Sequence, residues 1–124
     1  MMRVPDATAE VPRRRMAVVR ARLEATRLHE GDATAAQAAA VGAAKRAAEI
    51  VGPMLPFQLT HAECDVAEED GAVVATVTLQ AYARAPLSPA GHLAAAAALA
   101  AVLDRHASPA GATLSIATVQ DVVD

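Results

Sequence analysis

The stretch EEDGAVVATVTLQAYA, residues 68–83, decides the fold of this chain. From Val73 to Ala83, apolar residues alternate with threonine and glutamine, a period of two that predicts a β-strand with one buried face. The Asp70-Gly71 pair before it is a strong signal for a tight hairpin turn. The apolar run over 57–66, on the other side of this turn, is therefore predicted to be the antiparallel partner strand.

Further strands flank this hairpin in the sequence. The partner strand changes phase between Leu59 and Ala62, which predicts a β-bulge or burial on both faces. Alternation from Arg15 to Glu24 predicts an earlier strand, although its alanine and arginine content also fits a helix. A last strand is predicted over about residues 112–120.

Two alanine-rich segments are predicted to be helices. The first runs from an N-cap at Asp32 or Thr34 to about Val51, and the second covers about residues 90–107. So many alanines predict a close approach of helix to sheet. The resulting order of strand, helix, strand, strand, helix, strand is the ferredoxin-like α+β arrangement, an antiparallel sheet with two helices packed on one face.

Length and composition predict one domain over 1–124, preceded by an extended arm over 1–12, which is punctuated by two prolines. The apolar stretch from Leu93 to Leu103 is shorter than the ~20 residues that a bilayer span requires. The first fifteen residues lack the apolar region of a secretory signal. A lone Cys64 cannot form an internal disulfide, so we expect a reducing compartment, the cytoplasm, and no membrane association.

Charge is distributed unevenly along the chain. The part up to Arg46 carries nine Arg and Lys against five Asp and Glu, and the remainder carries two against nine. The basic part either faces an anion or forms an ordinary solvated face. With one Phe, one Tyr and no Trp, the chain has no aromatic platform for stacking bases, so no nucleic-acid partner is expected.

Two sequence motifs, a Gly-Asp helix start and a proline-flanked loop, occur in a characteristic order along the chain. Gly31-Asp32 opens a helix that closes with Ala43-Ala44-Lys45-Arg46, and a proline-flanked loop then leads into a strand, as Pro53-Met54-Leu55-Pro56-Phe57-Gln58-Leu59-Thr60-His61. Along nearly its whole length the chain resembles the MoaC family, the cyclic pyranopterin monophosphate synthases of molybdenum-cofactor biosynthesis. The spacing from Thr78-Leu79 to the helix near Leu93 fits this family, as do Asp6 and Arg15 in the N-terminal part.

The resemblance implies a ferredoxin-like subunit that assembles into a homo-hexamer, a trimer of dimers, with active sites between subunits. It implies a lyase that converts a cyclised dihydroguanosine triphosphate and releases pyrophosphate, with no metal and no cofactor. It assigns a phosphate- or anion-binding role to Arg15, Lys45, Arg46 and Asp6. Arginine forks match phosphate oxygens, and lysine adds a point charge. The alternatives are a solvated helix lysine at Lys45 and a turn aspartate at Asp6.

The chain departs from the family at the positions that carry protons. Met54-Leu55 replaces a Cys-His pair, Pro89-Ala90-Gly91 replaces Glu-Met-Glu, and Glu30 replaces a lysine. The family's late aspartate and catalytic lysine fall near Asp104 or Arg105 and near Ala107 or Ser108. Catalytic residues and enzymatic activity therefore stay unassigned.

Three hypotheses follow from these departures. The first is a diverged protein with reduced binding of a pterin- or nucleotide-like anion and weak or changed lyase activity. The second is a non-catalytic oligomeric partner, supported by the smooth, uncharged helix from Leu93 to Leu103. The third is an altered enzyme that acts on a related heterocycle.

The remaining candidate residues are interpreted as structural. His61 lies in a strand and His92 at a helix start, without a second ligand at metal-binding spacing. His29 and His106 are expected to be exposed, in a loop and at a helix end. Cys64 alternates with apolar neighbours and is predicted to lie in the core rather than to act as a nucleophile.

Overall fold

The computed structural model describes residues 11–49, 57–106 and 112–124. In chain order the elements are β1 (Arg13–Glu24), α1 (Asp32–Ala47), β2 (Gln58–Glu69), β3 (Ala72–Ala83), α2 (Ser88–Asp104) and β4 (Leu114–Val123). The strands form one sheet in the order β2-β3-β1-β4, and every neighbouring pair is antiparallel. Both helices pack on this sheet and on each other. The predicted ferredoxin-like α+β fold is confirmed.

The hairpin that organised the prediction is present. Asp70 and Gly71 both have positive φ, 48° and 76°, as a two-residue turn between strands of right-handed twist requires. The register of β2 against β3 shifts between Leu59 and His61, so the predicted bulge is also confirmed. The strands are longer than predicted, because cross-strand pairing continues to Glu69 in β2.

The first helix differs from the prediction at both ends. Its N-cap is Gly31, in the left-handed conformation at φ 86°, and Asp32 is the first helical residue. The predicted caps Asp32 and Thr34 were therefore wrong by one to three positions. At the other end α1 stops at Ala47, short of the predicted Val51, which lies outside the described residues. Residues 1–10 of the predicted arm over 1–12 also lie outside them.

The core is built from small side chains. On β1 the odd positions, Ala17 to Leu23, are buried beneath the helices, which contribute mainly alanine to the interface. The largest fully buried side chains include only three leucines, Leu79, Leu87 and Leu99. Small residues let the helix backbones lie close to the sheet, which the alanine content predicted.

Gly91 of α2 is the tightest of these contacts. A Cβ added there would lie 2.5 Å from Val19 Cγ2 and 3.3 Å from Val19 Cβ. Val19 is buried and β-branched, so it has little freedom to move. The helix therefore meets the sheet at Gly91 with no room for a methyl group.

We expect Gly91→Ala to lower the free energy of unfolding by about 2 kcal/mol through overpacking, although alanine favours helix over glycine. Gly42→Ala in α1 is the matched control, since nothing lies within 4 Å of its Cβ position. It is expected to stabilise by about 0.5–1 kcal/mol. Urea denaturation measures both, and adding Val19→Ala should reduce the cost of Gly91→Ala. Equal effects of the two glycine substitutions would contradict the close contact.

The two helices are 16 and 17 residues long. Within the described ranges, neither combines the length and the hydrophobicity that a membrane span needs. The outward side of α2 is nevertheless apolar. Leu93 is 47% exposed there, and the solvent-facing side continues with alanines at 96, 97 and 100.

Candidate functional site

Basic side chains gather at one end of the molecule. The Phe57 N–H donates to the Ala48 carbonyl at 3.1 Å, which ties the end of α1 to the start of β2. Gln58 then pairs with Tyr82, and Tyr82 pairs with Arg14 near the start of β1. The end of α1 and the start of β1 therefore lie at the same end of the sheet, which we call the basic end. Its cationic residues are Arg13, Arg14, Arg15, Lys45 and Arg46.

Lys45 and Arg46 lie in the last turn of α1, and both are exposed. Among the described residues neither forms an ion pair. Arg46 lines a groove of ≈ 580 Å³, whose other walls are small residues of α1 together with Leu93 and Ala97 of α2. Both charges favour the negative end of the α1 dipole, which is a sufficient structural reason for their position.

Arg15 is placed differently. It shares the strand face of Ala17, and its Nε donates to the Ala83 carbonyl at 3.2 Å, so the side chain is half-buried against β3. Arg15 lines a depression of ≈ 270 Å³ beside Asp124, separate from the groove that Arg46 lines. The structure thus brings Arg15, Lys45 and Arg46 to one end of the molecule, but Arg15 and Arg46 line two different depressions. Asp6 lies outside the described residues.

Arg14 belongs to this end and was missed by sequence reasoning. Its Nη2 donates to Tyr82 Oη at 2.9 Å, and its guanidinium carbon lies 5.6 Å from the centre of the tyrosine ring. The hydrogen bond to Tyr82 raises the pKa of Arg14 further above its ordinary value, with a smaller contribution from the charge of Asp124. No local sequence pattern predicts this contact, because Arg14 and Tyr82 are distant in sequence and lie together only when β1 pairs with β3.

The opposite end of the molecule holds a buried carboxylate. Asp32 Oδ1 accepts from Arg105 Nε at 2.8 Å, while Oδ2 accepts from the His29 backbone N–H at 2.8 Å. His106 Nε2 lies 2.9 Å from the same Oδ2. We call these four residues the Asp32 clasp. It joins the start of α1 to the segment after α2, and it satisfies both oxygens of a carboxyl that is fully buried.

Electrostatics in the Asp32 clasp favour the ionised carboxylate. Burial by itself raises the pKa of Asp32, but hydrogen bonds from His106, the His29 backbone and Arg105 outweigh it and lower the pKa from 3.8 to about 2. Asp32 is therefore charged at neutral pH. Arg105 also donates to the Glu30 carbonyl at 3.0 Å, so the guanidinium closes over the turn that precedes α1.

The donor atoms of His29, Asp32 and His106 lie within 4.8 Å of one another, a spacing that is compatible with a metal ion. The arrangement itself does not fit one. The two imidazole rings are stacked 4.2 Å apart at an interplanar angle of 9°, so their in-plane lone pairs do not converge on one point. The Asp32 oxygens are also already occupied by N–H donors. The clasp is a structural connection between α1 and α2.

The expectation for one histidine, His106, was wrong. His106 was expected to be exposed, yet its side chain is only 12% exposed, because it is enclosed between Asp32 and the stacked His29 ring. His29 itself is exposed, as predicted. His61 Nε2 lies 3.6 Å from Glu63 Oε2, and His92 Nε2 lies 2.9 Å from Thr118 Oγ1. These are surface contacts between side chains on the sheet and helix.

Cys64 is buried in the core between β2 and the helices, in agreement with its predicted structural role. Burial raises the pKa of its thiol to about 11, with a smaller contribution from Asp65, so very little thiolate is present at neutral pH. We expect Ellman's reagent to modify Cys64 in the folded protein on the order of 100-fold more slowly than in urea, because the thiol must first be uncovered. Equal rates in the two conditions would show that the residue is accessible.

Comparison with known protein families and curated sequences does not assign this chain to a family. Neither a protein-family model nor a curated protein sequence matches the chain. The assignment of function therefore depends on the charges and contacts described above.

Proposed function

We propose that this protein is a diverged member of the MoaC family that binds a small anion, a pterin or nucleotide phosphate, at its basic end. The observation that carries the proposal is the collection of Arg14, Arg15, Lys45 and Arg46 at one end of the sheet. Three of these four are the residues that the resemblance assigns to phosphate. Asp6 stays a prediction, since it lies outside the described residues.

The chemistry of these side chains suits a polyanion. Arginine presents planar forks for phosphate oxygens, and an exposed lysine beside them adds charge without a fixed geometry. Lys45 and Arg46 have no carboxylate partner among the described residues, so their charge is free to meet a ligand. The end of β3 leads through residues 84–87 into the positive end of α2, which lies at this same end of the molecule.

The catalytic power of the family is expected to be weak or changed. Ala90 and Gly91 lie where the family has methionine and glutamate, and both are buried. The contact of Gly91 with Val19 leaves no space for a glutamate. Arg105, near the family's late aspartate, is already bound to Asp32. A lyase reaction would therefore have to proceed without these proton carriers.

Calorimetric titration with inorganic pyrophosphate and with GTP tests the binding proposal. The variant Lys45→Ala/Arg46→Ala is expected to weaken binding at least ~10-fold, because two charge-assisted contacts are lost. Arg20→Ala/Arg27→Ala is the matched control, since it removes equal charge away from the basic end and should leave affinity unchanged. Raising the salt concentration should weaken wild-type binding. Absence of binding, or equal losses in both variants, would contradict the proposal.

Activity is a separate measurement. Purified protein is incubated with the cyclised dihydroguanosine triphosphate precursor, and pyrophosphate and pterin are followed. We expect binding with little or no turnover, because the acidic positions of the family are occupied by small packed residues. Rapid turnover abolished by Lys45→Ala would instead show that lyase chemistry persists. Turnover of a related heterocycle would indicate an altered enzyme.

A second candidate is a non-catalytic oligomeric partner, and the exposed apolar side of α2 around Leu93 favours it. Under either function we propose a homo-oligomer, as the resemblance to a hexamer of three dimers implies. A cytoplasmic location is part of the same proposal, because the single Cys64 is free and buried and has no disulfide partner in the sequence. Light scattering on the eluting protein measures the assembly, and a monomer would remove this second candidate.

A further inference from the structure

The outer edge of β4 is open to pairing. Among the described residues no strand lies beyond β4, which ends the sheet on that side. The Glu24 N–H donates to the Thr113 carbonyl, and the Asp124 N–H donates to the Arg14 carbonyl. Hydrogen-bonding direction alternates along an antiparallel strand. Counting from these two bonds, and leaving out the bulge at Thr118 and Val119, the outward backbone groups belong to Leu114, Ile116, Asp121 and Val123.

The two edges of the sheet are protected to different degrees. Edge strands of soluble proteins usually carry charges or prolines that prevent pairing with another chain. β2 follows this rule, since it carries one histidine and four acidic residues. β4 has a single charged residue, Asp121, and no proline. It also exposes apolar side chains, with Leu114 45% and Val123 46% exposed.

The helix beside β4 extends this apolar surface. A groove of ≈ 600 Å³ runs between α2 and β4, with Leu93, Ala96 and Ile116 among its lining residues. The exposed side of Leu93 therefore adjoins the open edge. The unpaired backbone groups of β4 and the exposed apolar side chain of Leu93 therefore lie on the same side of the molecule. The pairing of the strands and the exposure of the side chain are independent observations.

We propose that β4 pairs antiparallel with β4 of a second copy, so that two four-stranded sheets form one sheet of eight strands. The two-fold axis passes between Thr118 and Val119. Leu114 then lies opposite the partner's Val123, and Ile116 opposite the partner's Asp121. This deepens the proposed oligomer and does not depend on anion binding.

This register satisfies three requirements at once. First, the residues whose backbone groups point outward lie opposite each other in the two copies, so their N–H and C=O groups can form hydrogen bonds. Side chains on the helix side meet side chains on the helix side, because Leu114 and Val123 pair with Leu23 and Arg15 of β1, two positions of the same strand face. No like charges face each other, since each Asp121 lies opposite an isoleucine. Pairing of β4 with β2 of another copy would be head-to-tail and would leave open ends.

Charge swapping tests both the dimer and its register, by light scattering without any anionic ligand. Wild-type protein is expected at twice the 12.7 kDa mass of one chain, or at a multiple of that dimer mass where the dimers assemble further. Leu114→Lys/Val123→Lys sets lysine opposite lysine twice and should give a monomer. Leu114→Lys/Val123→Glu sets lysine opposite glutamate and should restore the dimer. Within one chain these two positions lie at opposite ends of β4, so the rescue requires a second copy.

The control Asp65→Lys makes an equal charge change of two on the other edge and should leave the mass unchanged. Circular dichroism verifies that each variant is folded, which the partial exposure of Leu114 and Val123 favours. A monomeric wild type overturns the proposal, and so does a Lys/Glu variant that stays monomeric. Removal of residues 1–10 tests the N-terminal arm as the alternative occupant of the β4 edge. A dimer that forms only after this removal would also overturn the proposal and would assign the arm to that edge. A loss of anion binding with an intact dimer would affect the proposed function alone.

Discussion

Asp32→Ala is expected to lower the free energy of unfolding by about 3 kcal/mol. The substitution leaves the His106 ring and the His29 N–H without their acceptor, in a place with little access to water. It also removes the partner of Arg105, which is partly exposed and regains water. Breaking a buried charged contact costs about 3–5 kcal/mol, and the exposure of Arg105 puts the effect at the lower limit.

Urea denaturation at pH 7 measures this loss. Asp32→Asn keeps one carbonyl acceptor and should cost less than alanine. Asp65→Ala is the matched control, because this aspartate is exposed on β2 and its removal should change stability by less than about 0.5 kcal/mol. Equal stabilities of the Asp32 and Asp65 variants would show that the clasp does not hold the helices together.

The same carboxylate predicts a pH dependence. The pKa of Asp32 is about 2 in the folded protein and ordinarily 3.8, so the unfolded chain takes up the proton first as pH falls. The stability that Asp32 contributes is therefore complete above about pH 4 and is lost as the pH falls toward 2. The difference in unfolding free energy between wild type and Asp32→Asn should shrink across that interval. A constant difference from pH 5 to pH 2 would contradict the lowered pKa.

Leu79→Ala is expected to cost about 4 kcal/mol. Leu79 is fully buried in the central strand β3, and it lies opposite Ala17 on β1 and Ala62 on β2. Neither neighbour has a side chain long enough to fill the space that the leucine leaves, so most of the cavity is expected to persist. Large-to-small substitutions cost the most where the surroundings do not collapse.

Leu79→Met is the control at the same site, because it nearly conserves volume and should cost less than about 1.5 kcal/mol. Urea titrations at one low protein concentration keep any dimerisation from contributing. If the alanine variant lost no more than the methionine variant, the core around Leu79 would have to be more adaptable than its alanine neighbours imply.

The sequence pattern predicted the order of elements because each strand shows a local signal. Alternation in 73–83 and the Asp70-Gly71 turn are properties of neighbouring residues, and the structure retains both. The ends of elements were less predictable. α1 ends at Ala47 although alanine and glutamate continue helical composition beyond it.

The contacts within the candidate sites were not predictable in the same way. Arg14 meets Tyr82, and Asp32 meets His106, only after the strands have paired and the helices have packed. A histidine at a helix end has the same local sequence whether it is exposed or enclosed. The family resemblance directed attention to Lys45 and Arg46, but it did not indicate that Arg15 would bind the Ala83 carbonyl.

The tight turn at Asp70 and Gly71 has a consequence for the order of folding. β2 and β3 are separated by two residues, so their pairing closes a very short loop. The pairing of β1 with β3 brings together Glu24 and Ala72, and the pairing of β4 with β1 brings together Leu23 and Leu114. Both pairings close far longer loops. We therefore expect the β2–β3 hairpin to form first and β4 to join the sheet last. In this order of folding, β1 would form the edge of the sheet until β4 pairs with it.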